Sequence, residues 1–183
     1  MRLSGLLLAV AALILLAYPG DKLDAHEELA SALVLRSDGQ TVGLATFTES
    51  VHGEVRVTFD ARGLPPGEHG FHIHEVGRCD PPAFTSSGGH FNPLGRRHGL
   101  STSEGPHAGD LPNLMVAADG SAHFDMVINR FTLHPGPLNI LDDNGSALII
   151  HALPDDHITD PTGNSGDRIA CAVISATVPA AAG

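Results

Sequence analysis

Tryptophan is absent from this chain, tyrosine occurs once, and lysine occurs once, as Lys22. Aromatic residues make up only 4% of the sequence, whereas glycine occurs 21 times and proline 13 times. A composition so often punctuated disfavours long helices and favours short strands joined by turns. The shortage of basic side chains excludes a class of partner. Ten lysines and arginines stand against 21 acidic residues, a net charge of −11, and nucleic acid needs a basic surface for its phosphates. Nucleic acid is therefore not expected to bind, and the acidic surface by itself implies solubility and little more.

Long hydrophobic runs are also missing, apart from one near the start. Leu6 to Ala17 is uncharged, follows Arg2 and is broken by Pro19-Gly20. It is too short to span a bilayer comfortably and has the layout of an export signal. Residues 1–20 are read as that signal, with a cleavage point uncertain up to about residue 25. A buried core helix is the weaker alternative, and an uncleaved anchor stays open. Without such an anchor no stable membrane partner is expected. Export places the protein in the periplasm or cell envelope, or outside the cell. Its two cysteines, Cys79 and Cys171, then meet oxidising conditions, where one disulfide is the first reading and two buried free thiols the second.

The length of 183 residues suits one domain with its own core. After a polar leader at 21–28, a domain at 29–178 is expected, followed by a frayed tail at 179–183. Two Asp-Gly pairs, Asp38-Gly39 and Asp119-Gly120, are hairpin signals. Glu54 to Asp60 alternates polar and apolar residues, the period of a half-buried strand. Eight short strands are predicted: 29–36, 41–49, 54–60, 70–75, 113–118, 122–128, 146–151 and 169–178. Two long stretches without periodicity, 76–112 and 152–167, fall between them, and loops of that length in a compact domain are usually functional. The fold class is all-β, an eight-stranded antiparallel Greek-key barrel or sandwich with two functional loops.

Histidine is what the chain has in excess, with 12. His72 and His74 sit two apart on a strand, so both imidazoles point to one face and can reach one cation. Three imidazoles and a carboxylate, His90, His98, His107 and Asp110, share the first long loop and suit a tetrahedral zinc site. His151 ends an apolar strand. Two histidines spaced in this way are a weak signal alone, and a polar loop can be histidine-rich by chance. The full set makes chance hard to defend.

The stretches Gly70-Phe71-His72-Ile73-His74-Glu75, Gly89-His90-Phe91-Asn92-Pro93, His107-Ala108-Gly109-Asp110-Leu111 and Gly163 to Cys171 resemble the copper/zinc superoxide dismutases, from about Leu29 to Val178. Members of that family share a sandwich architecture and react near the diffusion limit. Both properties are implied by the resemblance, not by composition or spacing. The resemblance implies one copper per chain, held by His72, His74, His90 and His151. It also implies one zinc, held by His90, His98, His107 and Asp110, with His90 bridging the two. Asp155 matches an outer aspartate linking His72 to His98. Arg168 matches the arginine that attracts superoxide, and Cys79–Cys171 matches the family disulfide. The implied activity converts two superoxide anions and two protons to dioxygen and hydrogen peroxide, by alternating reduction and reoxidation of the copper, with His90 and Arg168 as the catalytic residues. His69 matches a structural histidine; His26, His52, His123, His134 and His157 are read as surface residues.

Two features depart from the familiar eukaryotic pattern. Asp80-Pro81-Pro82-Ala83-Phe84 lengthens the loop before His90, as in the bacterial, periplasmic branch, which contains both monomers and dimers, so a homodimer stays open. The loop from Ala152 to Asp167 has no lysine, leaving Arg168 and the metals to attract the anion. The alternative of another class is a non-catalytic copper/zinc-binding module of the same fold, and a copper-only dismutase is a third reading. Relatives of those kinds lack some of the ligands or the arginine, all of which are filled here.

Overall fold

The structure is a computed structural model, and it describes residues 28–177. The signal segment, nearly all of the leader and the tail lie outside those residues. Glu28, assigned above to the leader, already belongs to the first strand.

Ten strands form one antiparallel sheet: β1 (Glu28–Arg36), β2 (Thr41–Glu49), β3 (Val55–Ala61), β4 (Gly67–His69), β5 (Phe71–His74), β6 (Leu114–Val116), β7 (Ala122–Ile128), β8 (Ala147–His151), β9 (Arg168–Val173) and β10 (Ser175–Ala176). The lateral order is β4-β6-β7-β3-β2-β1-β9-β8-β5, with β10 on β1. The two edges of this sheet, β4 and β5, are separated by Gly70 alone. One residue spans under about 4 Å, so the sheet must curl until its edges meet, and a barrel results. A Cβ on Gly70 would stand 2.6 Å from that of Ser165, so glycine is required where the edges join. The connection from β3 to β4 passes over β7 and β6, a Greek-key crossing.

The all-β class therefore holds, and the difference between eight and ten strands has a physical origin. β4 and β5 form one ribbon interrupted at Gly70. β9 and β10 share a single register on β1, with Leu35 opposite Cys171 and Ser31 opposite Ser175. They are separated where Ile174 gives its N–H to Ser146 O instead. At both Asp-Gly hairpins the glycine takes the left-handed backbone such turns need, with φ of +82° at Gly39 and +79° at Gly120. Among the described residues the first long loop has one 3-10 turn, Thr85–Ser87, and no helix is long and apolar enough to cross a membrane.

Strand alternation decides where the site forms. On β3, Val55, Val57, Phe59 and Ala61 are buried, while Arg56 and Asp60 face solvent. β5 and β8 are buried on both faces. Phe71, Ile73, Leu148 and Ile150 join the main core, whereas Ala147 and Ile149 pack outside it with Phe84 and Cys171. His72 and His74 pair with Ile149 and Ala147, so they point to the outer face of the barrel, and His151 follows in the same parity. That face stays dry because the two long loops lie over it.

Candidate metal centre

β5 ends the sheet, and its free edge is taken up by the first long loop. Ile73 N donates to Gly109 O (2.9 Å), Phe91 N to Ile73 O (2.8 Å) and Glu75 N to Gly89 O (3.0 Å). This satisfies an otherwise open edge. It also sets His90 beside His74, and Asp110 beside His72, as isolated bridges. The loop thus carries its ligands to β5 by backbone pairing, a contact that sequence spacing does not reveal.

Two groups of buried side chains result. The candidate ligand atoms of His72, His74, His90 and His151 lie within 4.8 Å of one another, as do those of His90, His98, His107 and Asp110. His90 belongs to both. Every histidine and aspartate proposed from sequence as a ligand is therefore brought together. Cys79 and Cys171 are bonded, with Cα atoms 5.7 Å apart.

The donor chemistry tests whether metals fit. A buried polar atom without a partner costs roughly 1–3 kcal/mol. Five such atoms are ring nitrogens of these groups: His72 Nδ1, His74 Nε2, His90 Nε2, His98 Nδ1 and His151 Nε2. At four of the five the opposite nitrogen is engaged by a group outside the two clusters, and at His90 it faces Asp110. His72 Nε2 lies 2.6 Å from Asp155 Oδ2 and His98 Nε2 3.0 Å from Asp155 Oδ1. His90 Nδ1 lies 2.9 Å from Asp110 Oδ1. His74 Nδ1 donates to Gly88 O (2.9 Å) and His151 Nδ1 to Gly166 O (3.0 Å). At His72, His74, His98 and His151 a proton fixed on one side leaves the other nitrogen aimed inward, the arrangement of metal-ligating histidines. Both nitrogens of His90 instead face the groups themselves, as a bridging ring requires. The residues fit cations at both places.

Burial shapes the protonation of these groups. It pushes His72 down to about 3 against the pull of Asp155, and His151 down to about 4. His74 and His90 are lowered by burial as well, with the charge of Arg168 helping to depress His74. His98 differs. Burial pulls it down, but the carboxylates of Asp110, 3.1 Å from Nδ1, and Asp155 outweigh that and raise it to about 9. Burial would raise Asp110, yet the neighbouring imidazoles of His107, His90 and His98 hold it well below the carboxylate range. Asp155, which burial would likewise raise, is held low by His72 and His98.

Arg168 is half-buried and gripped by the first loop. Its Nη1 donates to Phe84 O (2.7 Å) and its Nη2 to Gly88 O (2.7 Å). Gly88 O is also the acceptor of His74, so one carbonyl orients both the arginine and a candidate ligand. His69 is buried between two carbonyls, His151 O at 2.7 Å and Pro65 O at 2.8 Å, and so is the structural residue expected.

Several supporting residues escaped the sequence reading. Arg130 donates to the carbonyl of Asp110. Asp160 Oδ1 accepts from His98 N (2.6 Å). Asn113 holds the peptide of Asp155 at both ends, through Asp155 N (2.8 Å) and Asp155 O (2.9 Å). None sits in a motif, and only proximity in the fold singles them out.

A nearly closed antiparallel barrel with two buried histidine clusters sharing one residue defines a class of dinuclear metalloprotein. The chain belongs to the copper/zinc superoxide dismutase family: the family model described as "Copper/zinc superoxide dismutase (SODC)" matches residues 41–174. Superoxide dismutase [Cu-Zn] 2 of Aquifex aeolicus is 45% identical over 175 residues, covering 94% of this chain and 98% of that one. Superoxide dismutase [Cu-Zn] of Caulobacter vibrioides is 41% identical over 148 residues, covering 79% of this chain and 84% of that one. Among solved structures, a SOD-like protein from Bacillus subtilis aligns with a TM-score of 0.72 at 44% identity, covering 78% of this chain and 97% of that one.

Proposed function

We propose that the protein is an exported superoxide dismutase holding one copper at His72, His74, His90 and His151, and one zinc at His90, His98, His107 and Asp110. The observation that carries this reading is the set of five buried ring nitrogens without partners, four of them opposite a nitrogen held from outside the two groups and the fifth, on His90, opposite a nitrogen that faces Asp110. When bound, copper supplies a cation of two accessible oxidation states and zinc a dication without redox chemistry.

The chain's own residues account for the rest. Arg168 presents a fixed positive charge to an anion arriving at an acidic protein. His90 Nε2, one of the partnerless nitrogens, would hold a proton whenever it is not engaged by the cation and would give it up to the reduced dioxygen species as it is engaged again. Asp155 fixes the rings of His72 and His98 together, which couples the two clusters mechanically. The apolar wall of Ala147, Ile149 and Phe84 excludes water from one side of the site.

The disulfide and the bacterial relatives support export, and the periplasm is the proposed compartment, reached through removal of residues 1–20 or slightly more. The test is metal analysis of the purified mature protein together with its rate of superoxide dismutation. One copper and one zinc per chain with activity is expected. Zinc alone, with no activity after reconstitution with both metals, would favour the binding-module reading.

A further inference from the structure

We propose that Ser87 is a positioning residue for Arg168, an inference that rests on the dismutase reading. Ser87 is fully buried. Its Oγ accepts from Arg168 Nη1 (2.9 Å), donates to Phe84 O (2.9 Å) and lies 3.5 Å from His74 Nδ1. A hydroxyl carries one proton. Because that proton goes to Phe84 O, the oxygen facing Arg168 is held as an acceptor and cannot rotate to repel the guanidinium.

The count of donors shows what this does. A guanidinium has five N–H groups in one plane. Phe84 O and Ser87 Oγ take the two on Nη1, and Gly88 O takes one on Nη2. Nε–H and one Nη2–H remain, two donors fit for an incoming anion. With the two carbonyls alone, one proton on each Nη is held and the plane can rock about the line between them. A third acceptor off that line fixes the plane and decides which donors are left over. Preorganised donors of this kind act on a substrate without rearranging.

The cradle is itself built with care for position. Phe84 has a left-handed backbone, φ +53°, uncommon for a bulky residue. Its ring is buried beside Cys79, Cys171 and Ile149, which holds that conformation and aims its carbonyl at Arg168. The insertion before His90 thus ends in a support for the arginine, and Ser87 completes it.

The experiment uses Ser87→Ala in the mature protein loaded with copper and zinc. Azide, an anion that binds copper, serves as the probe in an optical titration. Rotation of the Arg168 guanidinium is followed by nitrogen-15 NMR in the reduced, diamagnetic protein. Expected are a three- to tenfold weaker azide affinity and rotation at least fivefold faster, with metal content unchanged and a matching fall in the second-order rate. Azide affinity and rotation both at wild-type values would overturn the proposal. Should the alanine variant not fold, Ser87→Cys, of similar outline and a poor acceptor, carries the same two outcomes. A wild type that binds copper and azide without dismuting superoxide would sink the dismutase reading and leave the role of Ser87 to the azide and rotation measurements.

Discussion

The two clusters that share His90 are built on opposite electrostatic plans. The group of His72, His74, His90 and His151 contains no carboxylate, and burial lowers the imidazoles, with His72 down to about 3 and His151 down to about 4. Around His98, His107 and Asp110 a buried carboxylate is supplied with backbone donors from Gly99 (3.0 Å) and His107 (2.9 Å), and His98 is raised to about 9. The first group rejects a proton and offers neutral ligands. The second attracts positive charge, so a cation bound there would displace a proton from His98. A neutral ligand set suits an ion whose charge changes by one during turnover, and an anionic set suits a permanent dication. One histidine in both groups makes each dependent on the placement of the other.

That contrast can be broken from either side. The largest effect is expected from His151→Ala, which removes a ligand from the four-histidine group alone. Dismutation should fall to background while zinc content stays at one per chain. Loss of zinc with retention of copper would reverse the assignment.

Next in size is Asp110→Ala. It takes the charge from the second group and should weaken zinc binding by more than about 100-fold, beyond the usual cost of losing an outer-shell partner. Copper should be retained, and the melting temperature should fall because structural metal binding contributes to folding. Equilibrium dialysis and calorimetry read both; wild-type values for zinc and stability would show that Asp110 is not a ligand.

Much of this contrast is legible in the sequence, and the reason lies in local geometry. His72 and His74 share a face because strand parity demands it, and the hairpins at Gly39 and Gly120 follow from backbone preferences. Asp110 and His90 are marked by the ligand composition of their loop, and only the motif resemblance implies which cation each would hold. What brings them to β5 is backbone pairing of the loop with the strand edge, 16 residues from His74 to His90 and 36 from His74 to Asp110, and no periodicity encodes such pairing. Asp160, Asn113, Arg130 and Ser87 reach residues distant in sequence, His98, Asp155, Asp110 and Arg168, so nothing near them marks their role. The split of the last strand at Ile174 was hidden for a similar reason, since Ser146 is the acceptor that diverts it.

The disulfide sharpens the comparison differently, because Cys79–Cys171 braces the start of the first long loop, where Phe84 and Gly88 hold Arg168, and not its end, where Asp110 lies. Its sequence separation is 92, for which chain entropy predicts a stabilisation of roughly 4–5 kcal/mol. Reductant should lower the unfolding temperature, and thiol titration of denatured, unreduced protein should find no free thiol. Two free thiols would refute the bridge.

The smallest expected effect concerns approach of the substrate. The net charge of −11 repels an anion at long range, and the loop at 152–167 contains no lysine, so the proposed reading leaves the local attraction to Arg168. Arg168→Glu should cut the second-order rate at least about tenfold with both metals retained. Added salt should partly restore the mutant, since the Debye length is about 10 Å at 0.1 M. Unchanged activity would make Arg168 a structural neighbour of Cys171 and nothing more.

The most direct test of the central claim is anomalous X-ray scattering from crystals of the purified mature protein, recorded on both sides of the copper and zinc absorption edges. Copper signal among His72, His74, His90 and His151, with zinc signal among His90, His98, His107 and Asp110, is the predicted result. The same metal in both places after reconstitution with an equal mixture, or copper beside Asp110, would contradict it.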